Sequence, residues 1–285
     1  MNPATPERFD LRCPRCRDAD TSARVRLGPQ GLVCAGCGAS FPMVEGAAVL
    51  VRDPDALIEA QPADPDLTQY LLADFAREPP LAWPAASPVG PCPTSWLVPH
   101  LTPGSRVVDL GCGVGGAAFR LASAGHDVLG LDLRCGRIQA ALQLRSHGHQ
   151  ALGDGSRVVA LKPRGHLDFL VGDALDPPLA GEAFDAVVVQ NLYDSVVDPV
   201  LLLNQCGALL RPGGLLLLAT PYQPGPVALG PEPDLALRQL LGTGACGATF
   251  TCVTEGETTW GLPDGKRRLV LYRCDVLVGR KLTTV

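Results

Sequence analysis

Three things are missing from this chain, and each absence closes a route to function. No apolar run approaches the ~20 residues of a membrane-spanning helix, so no membrane role is expected. The opening MNPATPERFD lacks the apolar core of a secretory leader, and the chain is expected to be cytoplasmic. Positive charge is not in excess. The formal net charge is -5, which argues against binding driven by a bulk phosphate-attracting field and leaves only local basic patches. Over 285 residues, 46% are apolar and 19% charged, enough for one large domain and a small one.

Cysteine, by contrast, is plentiful. Eleven are present, an odd number, and four of them form two C-x-x-C pairs near the N-terminus. Without a secretory leader, metal binding reads better than a disulfide framework. LRCPRC, then seventeen residues, then CAGC has the spacing of a zinc site. Cys13, Cys16, Cys34 and Cys37 would give zinc four sulfurs from two knuckles, a closed and therefore structural site. Residues 1–51 are too short to bury a core alone, so the metal is expected to supply much of their folding energy. With its FPMVEGAAVLV ending, this segment resembles the small zinc-ribbon proteins that serve as partner subunits of some methyltransferases. Here such an element is fused to a larger C-terminal region.

Residues 52–102 are rich in Pro, Ala and Asp and read as a wrapping linker. One helix interrupts them, DLTQYLLADFA, capped by Asp64 or Asp66, with Leu67, Tyr70, Leu71 and Phe75 on one stripe. It is expected to pack on the next domain, to cover a ligand, or both.

Residues 103–285 carry strand-like runs at Arg106–Asp109, Asp127–Asp132, Asp168–Val171, Ala186–Val189, Leu215–Ala219, Phe250–Val253 and Leu269–Val278. Helical segments, such as Gly116–Ala124, Arg134–Ser146 and Pro199–Leu210, alternate with the first five. Alternation predicts an α/β fold with a mostly parallel sheet. The last two runs lack a helix between them and predict an antiparallel finish. The 35 residues between Asp132 and Asp168 exceed the usual connection, and RVVALK there is either an extra strand or part of a flap.

The first strand runs into DLGCGVGG. Gly111, Gly113 and Gly116 satisfy G-x-G-x-x-G, while Asp109, Gly111, Gly113 and Gly115 satisfy D-x-G-x-G-x-G. Glycine spacing alone does not choose between a dinucleotide and S-adenosylmethionine. Asp109 does, because a carboxylate at this strand tip would repel a pyrophosphate and favours a ligand with an ammonium. Asp132 ends the second strand, where a carboxylate accepts from ribose hydroxyls in either cofactor. Asp173 ends the third strand, beside the expected adenine. Leu133, Ala174 and Gln190 complete the expected cradle. A helix cap for Asp109, a turn role for Asp173 and simple packing for Cys112 are the structural alternatives.

DLGCGVG, GLDL, VGDA, FDAVVVQN and LRPGGLLLLATP occur in that order between Arg106 and Tyr222. This stretch resembles the class I S-adenosylmethionine-dependent methyltransferases. The resemblance implies a Rossmann-like seven-stranded, mostly parallel sheet with an antiparallel terminal hairpin, and S-adenosyl-L-methionine as cofactor.

The acceptor leaves fewer marks, since the cofactor brings the activation and the protein mainly orients. The N/D-P-P-Y/F motif of amino-methyltransferases is replaced by Gln190-Asn191-Leu192-Tyr193-Asp194, and the one Pro-Cys lies in the linker, away from the place of a cytosine nucleophile. Tyr193, Asp194 and Tyr222 are the candidate catalytic or acceptor-facing groups. Ring packing is the alternative for Tyr222, and a solvated loop for Asp194. QYLL, LLRPGGLLLLATPY and LYRCDVLVGRK are similar to bacterial imidazole N-methyltransferases of mercaptohistidine, although QPGPVALGPEP replaces that family's W-x-x-E segment. A small-molecule acceptor, an imidazole or other nitrogen among the options, is the leading expectation.

The alternative is RNA. Ribosomal RNA guanine methyltransferases also set a zinc ribbon before this fold. Arginines 8, 12, 15, 17, 24 and 26, and a second set at Arg134, Arg137, Arg145, Arg157, Lys162 and Arg164, give local basic character. The ribbon has Phe9 and Phe41 but no interleaved aromatics suited to stacking bases. A protein substrate, and a non-catalytic methyltransferase-like subunit with a protein partner, stay open.

Overall fold

The computed structural model describes residues 1–16, 23–61, 63–75, 89–153, 155–264 and 268–282. Arg17 and part of the Pro/Ala-rich linker lie outside the described residues. Among those described, no helix is long and apolar enough to cross a membrane.

The N-terminal unit opens with a one-turn helix, α1 (Thr5–Arg8). Four short strands form an antiparallel sheet: β1 (Val25–Gly28), β2 (Gly31–Cys34), β3 (Ser40–Val44) and β4 (Ala47–Ala48). Leu32, Phe41 and Ala48 of these strands, with Phe9, Leu11 and Leu50 beside them, are wholly buried and join one cluster with Leu131, Leu170, Phe184 and Leu203 of the larger unit. Four strands this short cannot bury a core against themselves, so they borrow one.

Two helices come next. α2 (Pro54–Glu59) starts where the Asp53 side chain accepts from the Ala56 N–H at 3.1 Å, with Pro54 in its first turn. α3 (Leu67–Phe75) buries Leu71 and Phe75, and Phe75 meets Phe119 edge to face at 5.3 Å. Then come α4 (Thr94–Leu97), β5 (Arg106–Leu110), α5 (Gly116–Ser123), β6 (Asp127–Asp132) and α6 (Cys135–His147). β7 (His149–Ala151) and β8 (Arg157–Val159) form a separate two-stranded hairpin, so RVVALK contributes a strand outside the main sheet. The rest is β9 (Leu167–Val171), β10 (Phe184–Gln190), α7 (Pro199–Leu209), β11 (Leu210–Thr220), α8 (Pro233–Thr243), β12 (Phe250–Asp264) and β13 (Arg268–Lys281).

The main sheet has seven strands in the order β12-β13-β11-β10-β5-β6-β9. β9, β6, β5, β10 and β11 run parallel, and β13 is antiparallel to both β11 and β12. β5, β6 and β9 are buried at almost every position, as expected of strands covered on both faces. The chain order reverses between β5 and β10, and their tips open the crevice where ligands bind in such sheets.

Two expectations need correction. The terminal hairpin is far longer than the runs read from sequence, with β12 spanning 250–264. Its polar, threonine-rich middle gives no apolar alternation, yet an edge strand needs only one partner to satisfy its backbone, and Pro263 is tolerated there. Second, no helix lies between β9 and β10. The N-terminal unit sits there instead. The Arg12 N–H donates to the Pro178 carbonyl at 2.8 Å and Ala180 N–H to Asp10 at 3.2 Å. Val49 pairs in parallel with Val171, and the Leu50 N–H donates to the Val171 carbonyl at 2.9 Å. The chain leaving the ribbon thereby extends the sheet beyond β9.

Candidate cofactor and acceptor site

The four thiols of Cys13, Cys16, Cys34 and Cys37 lie within 4.8 Å of one another. Cys13 and Cys37 sulfurs are 3.8 Å apart, and Cys16 and Cys34 are 3.7 Å apart. A tetrahedral zinc with bonds of ~2.3 Å needs sulfurs about 3.8 Å apart, so the donor set fits zinc. Gly36 and Cys37 N–H groups donate to the Cys34 sulfur at 3.3 and 3.4 Å, the outer bonds a thiolate ligand takes from its knuckle.

At the crevice, β5 delivers Asp109 into the turn before α5. Gly113 adopts φ 56°, a left-handed conformation, and its N–H donates to Asp132 Oδ2 at 2.9 Å. The Arg134 N–H donates to Asp132 Oδ1 at 2.8 Å, so the second-strand carboxylate is pinned beside the glycine turn. Gly115 caps α5 at φ 92°. Asp109 is 1% exposed, and its Oδ2 has no hydrogen-bond partner. Burial, with Asp74 and Asp132 nearby, pushes its carboxyl up to about 8.

A cavity of about 290 Å³ opens here. Asp109, Gly111, Gly113 and Gln190 line it on the sheet side. Tyr70 and Asp74 of α3, Arg120, Arg137, Asn191 and Trp260 line it elsewhere. Residues 89–93 form its roof: Gly90 N–H donates to the Thr259 carbonyl at 2.7 Å, and Thr258 Oγ1 donates to the Pro91 carbonyl at 2.8 Å. A second, more open depression, on the far side of Asp132, is lined by Leu133 and Asp173 together with Val51, Arg52 and Leu57. Burial raises the Asp173 carboxyl, although the Leu175 N–H donates to it at 2.8 Å. Ala174 is buried beside it. The linker closes over this end. Gln61 donates to the Leu133 carbonyl at 3.0 Å and accepts from the Cys135 N–H at 3.2 Å.

The structure does not bring Tyr193, Asp194 and Tyr222 into the cavity. Tyr193 is 3% exposed in the core cluster. Asp194 accepts from the Gln223 N–H at 2.6 Å and from Ser195 Oγ at 3.4 Å, which pins the loop after β11. Tyr222 sits at φ 52° and its hydroxyl donates to Asp275 at 3.3 Å. The covering wall of the cavity is aromatic, and Trp260 in it is a residue that the sequence reading did not single out. Trp260 stacks with Tyr70 at 6.0 Å and meets Tyr272 at 5.3 Å. The Arg137 guanidinium lies 4.2 Å over the Tyr70 ring and pairs with Asp64. One signal was available: Thr258 and Trp260 are two apart in GETTWGL, the spacing that aims both at one face of a strand.

Residues 108–218 match the family model of a methyltransferase domain. A ubiquinone biosynthesis O-methyltransferase from Xanthomonas campestris is 32% identical over 121 residues, covering 41% of this chain and 44% of that one. A demethylmenaquinone methyltransferase from Renibacterium salmoninarum is 31% identical over 117 residues, 41% of each chain. An S-adenosylmethionine-dependent methyltransferase from Methanosarcina mazei shares the fold at a TM-score of 0.50 and 21% identity, over 66% of this chain and 98% of that one. The chain spans less than half the length of these curated relatives. Residues 108–218, which carry the glycine turn and the strand tips, are thus similar to a methyltransferase domain, and the likeness to the solved structure is one of fold; a four-cysteine unit precedes them.

Proposed function

We propose that this protein transfers a methyl group from S-adenosyl-L-methionine to a small-molecule acceptor. The observation that carries this reading is the buried Asp109 carboxyl, whose Oδ2 has no hydrogen-bond partner at the glycine turn, in a cavity also lined by Tyr70, Asn191, Thr258 and Trp260. Asp132 would hold the nucleoside hydroxyls, Leu133, Asp173 and Ala174 the base, and Gln190 and the Gly111–Gly113 backbone the centre of the cofactor. The bound cofactor supplies an activated methyl group. The chain's own residues orient the acceptor against it and exclude water with α3 and the 89–93 roof.

The roofed cavity suits a compact acceptor better than a nucleic-acid strand. Five of the twelve basic residues that suggested RNA are committed to carboxylates. Arg8 pairs with Asp127, Arg12 and Arg24 with Asp10, Arg137 with Asp64 and Arg145 with Asp168. The aromatic wall supports a planar acceptor that presents an oxygen or nitrogen. Two relatives are named for ubiquinone and menaquinone, which are small molecules. Zinc bound by Cys13, Cys16, Cys34 and Cys37 is structural in this reading.

Calorimetric titration with S-adenosylmethionine, S-adenosylhomocysteine and NAD tests it. Adenosyl ligands are expected to bind, and Asp132→Ala to weaken them by about tenfold or more with the fold retained. Tight NAD binding, or no adenosyl binding, overturns it. A screen of hydroxylated aromatics and imidazoles beside ribosomal RNA then identifies the acceptor, and methylation of RNA alone would overturn the small-molecule reading.

A further inference from the structure

Gly116 is an odd glycine. The D-x-G-x-G-x-G set ends at Gly115, and Gly116 has ordinary helical backbone in the first turn of α5. Its missing side chain has a different cause. A Cβ there would collide with the Asp74 carboxyl group. Asp74 therefore reaches across from α3 into the space a side chain would fill, and the Gly116 N–H faces its carboxylate. Asp109 lines the same cavity from the sheet side, with one buried oxygen unpartnered. Two carboxylates thus converge at the N-terminus of an eight-residue helix, one from the sheet and one from the covering helix.

We propose that Asp74 of α3 and Asp109 of β5 together hold the ammonium of the cofactor's amino-acid end, so that binding the cofactor and seating α3 are one event. This rests on the methyltransferase reading. Two like charges at close range repel each other, and a cation between them removes that repulsion. The pair also explains why α3 belongs to the site. Phe75 anchors the helix on Phe119, Tyr70 faces Trp260, and Asp74 between them points at the glycine turn. Cofactor-driven seating of α3 would complete the acceptor wall only when the methyl donor is present.

The surroundings set the sign of the pH response. Facing the pair are Tyr70 from α3, Asp132 from β6, Arg120 from α5, Arg137 from α6, Cys92 from the roof, and Cys112 in the glycine turn. Burial pushes Asp74 up to about 6 and Asp109 up to about 8, the former opposed by Arg120. Both carboxyl protons must leave for a cation to be held well, so affinity for an ammonium-bearing ligand rises with pH across this range.

The test compares S-adenosylhomocysteine with methylthioadenosine, which keeps the nucleoside and sulfur but lacks the ammonium. Asp74→Asn is expected to weaken S-adenosylhomocysteine by about tenfold or more and to leave methylthioadenosine within about twofold. In the wild-type protein, which needs no variant to fold, S-adenosylhomocysteine affinity is expected to rise between pH 6 and 8 while that of methylthioadenosine stays flat. Equal losses for both ligands, no loss for either, or a flat profile for S-adenosylhomocysteine would overturn the clamp. Failure of the wild-type protein to bind either ligand would overturn the methyltransferase reading itself.

Discussion

The ribbon and the seven-stranded sheet achieve stability by opposite routes, yet they end in one core. The sheet buries apolar side chains on both faces of β5, β6 and β9 and has helices to cover them. The ribbon has strands of two to five residues and gathers four thiols instead. Its apolar residues then complete the face of the sheet left bare by the missing helix between β9 and β10. A four-thiol unit thereby becomes part of the wall of the larger sheet. It also reaches the depression at Asp173, because Val51, its last residue, and Arg52, the next one, line that depression, and Arg52 pairs with Asp176 at 2.9 Å.

The comparison breaks first at the metal. Chelation, or Cys34→Ser, is expected to remove bound zinc and to lower the unfolding free energy of the whole chain by about 3 kcal/mol or more. Metal analysis beside denaturant unfolding reads this. A sheet that unfolds at the same denaturant concentration with and without metal would separate the two regions. A milder cut is Leu50→Ala, wholly buried at the junction. It is expected to cost roughly 2–5 kcal/mol while zinc stays bound, since it opens a cavity between the regions and leaves the thiols alone.

Acidity sharpens the contrast from the sheet side. Asp109 has an ordinary value of 3.8 when unfolded and about 8 when folded. Between those values the folded protein holds more protons than the unfolded chain, so stability falls as pH rises through the window. The melting temperature without ligand is expected to drop by at least about 2 °C between pH 5 and 8, and Asp109→Asn to flatten the profile. A rise over that range would count against a protonated buried carboxyl. The smallest effect belongs to Arg8→Ala. Its pair with Asp127 bridges ribbon and sheet at the surface, with Arg8 44% exposed, and is expected to contribute at most about 1 kcal/mol. Salt-insensitive unfolding of that variant, against weak salt sensitivity in the parent, is the readout.

Local chemistry made the ribbon ligands legible. C-x-x-C spacing follows from a turn closing on itself, and the same is true of DLGCGVGG, whose glycines answer a backbone requirement at φ 56° and 92°. Gly116 obeyed a different demand, the approach of Asp74 from forty-two positions earlier, and a pattern over neighbouring residues does not contain that information. Tyr193, Asp194 and Tyr222 read as chemical groups by position after a strand. The fold instead used them for packing and for pinning the loop after β11.

The strand–helix alternation, the existence of the terminal hairpin, the four thiols and the carboxylates at the tips of β5, β6 and β9 are legible in local sequence. Each follows from periodicity or from a turn's own geometry. The place of the ribbon where a helix was expected, and the enclosure of the cavity by α3, residues 89–93 and β12, come from contacts between distant segments. Those contacts join residues more than a hundred positions apart, and it is burial and backbone pairing between them that selects the arrangement.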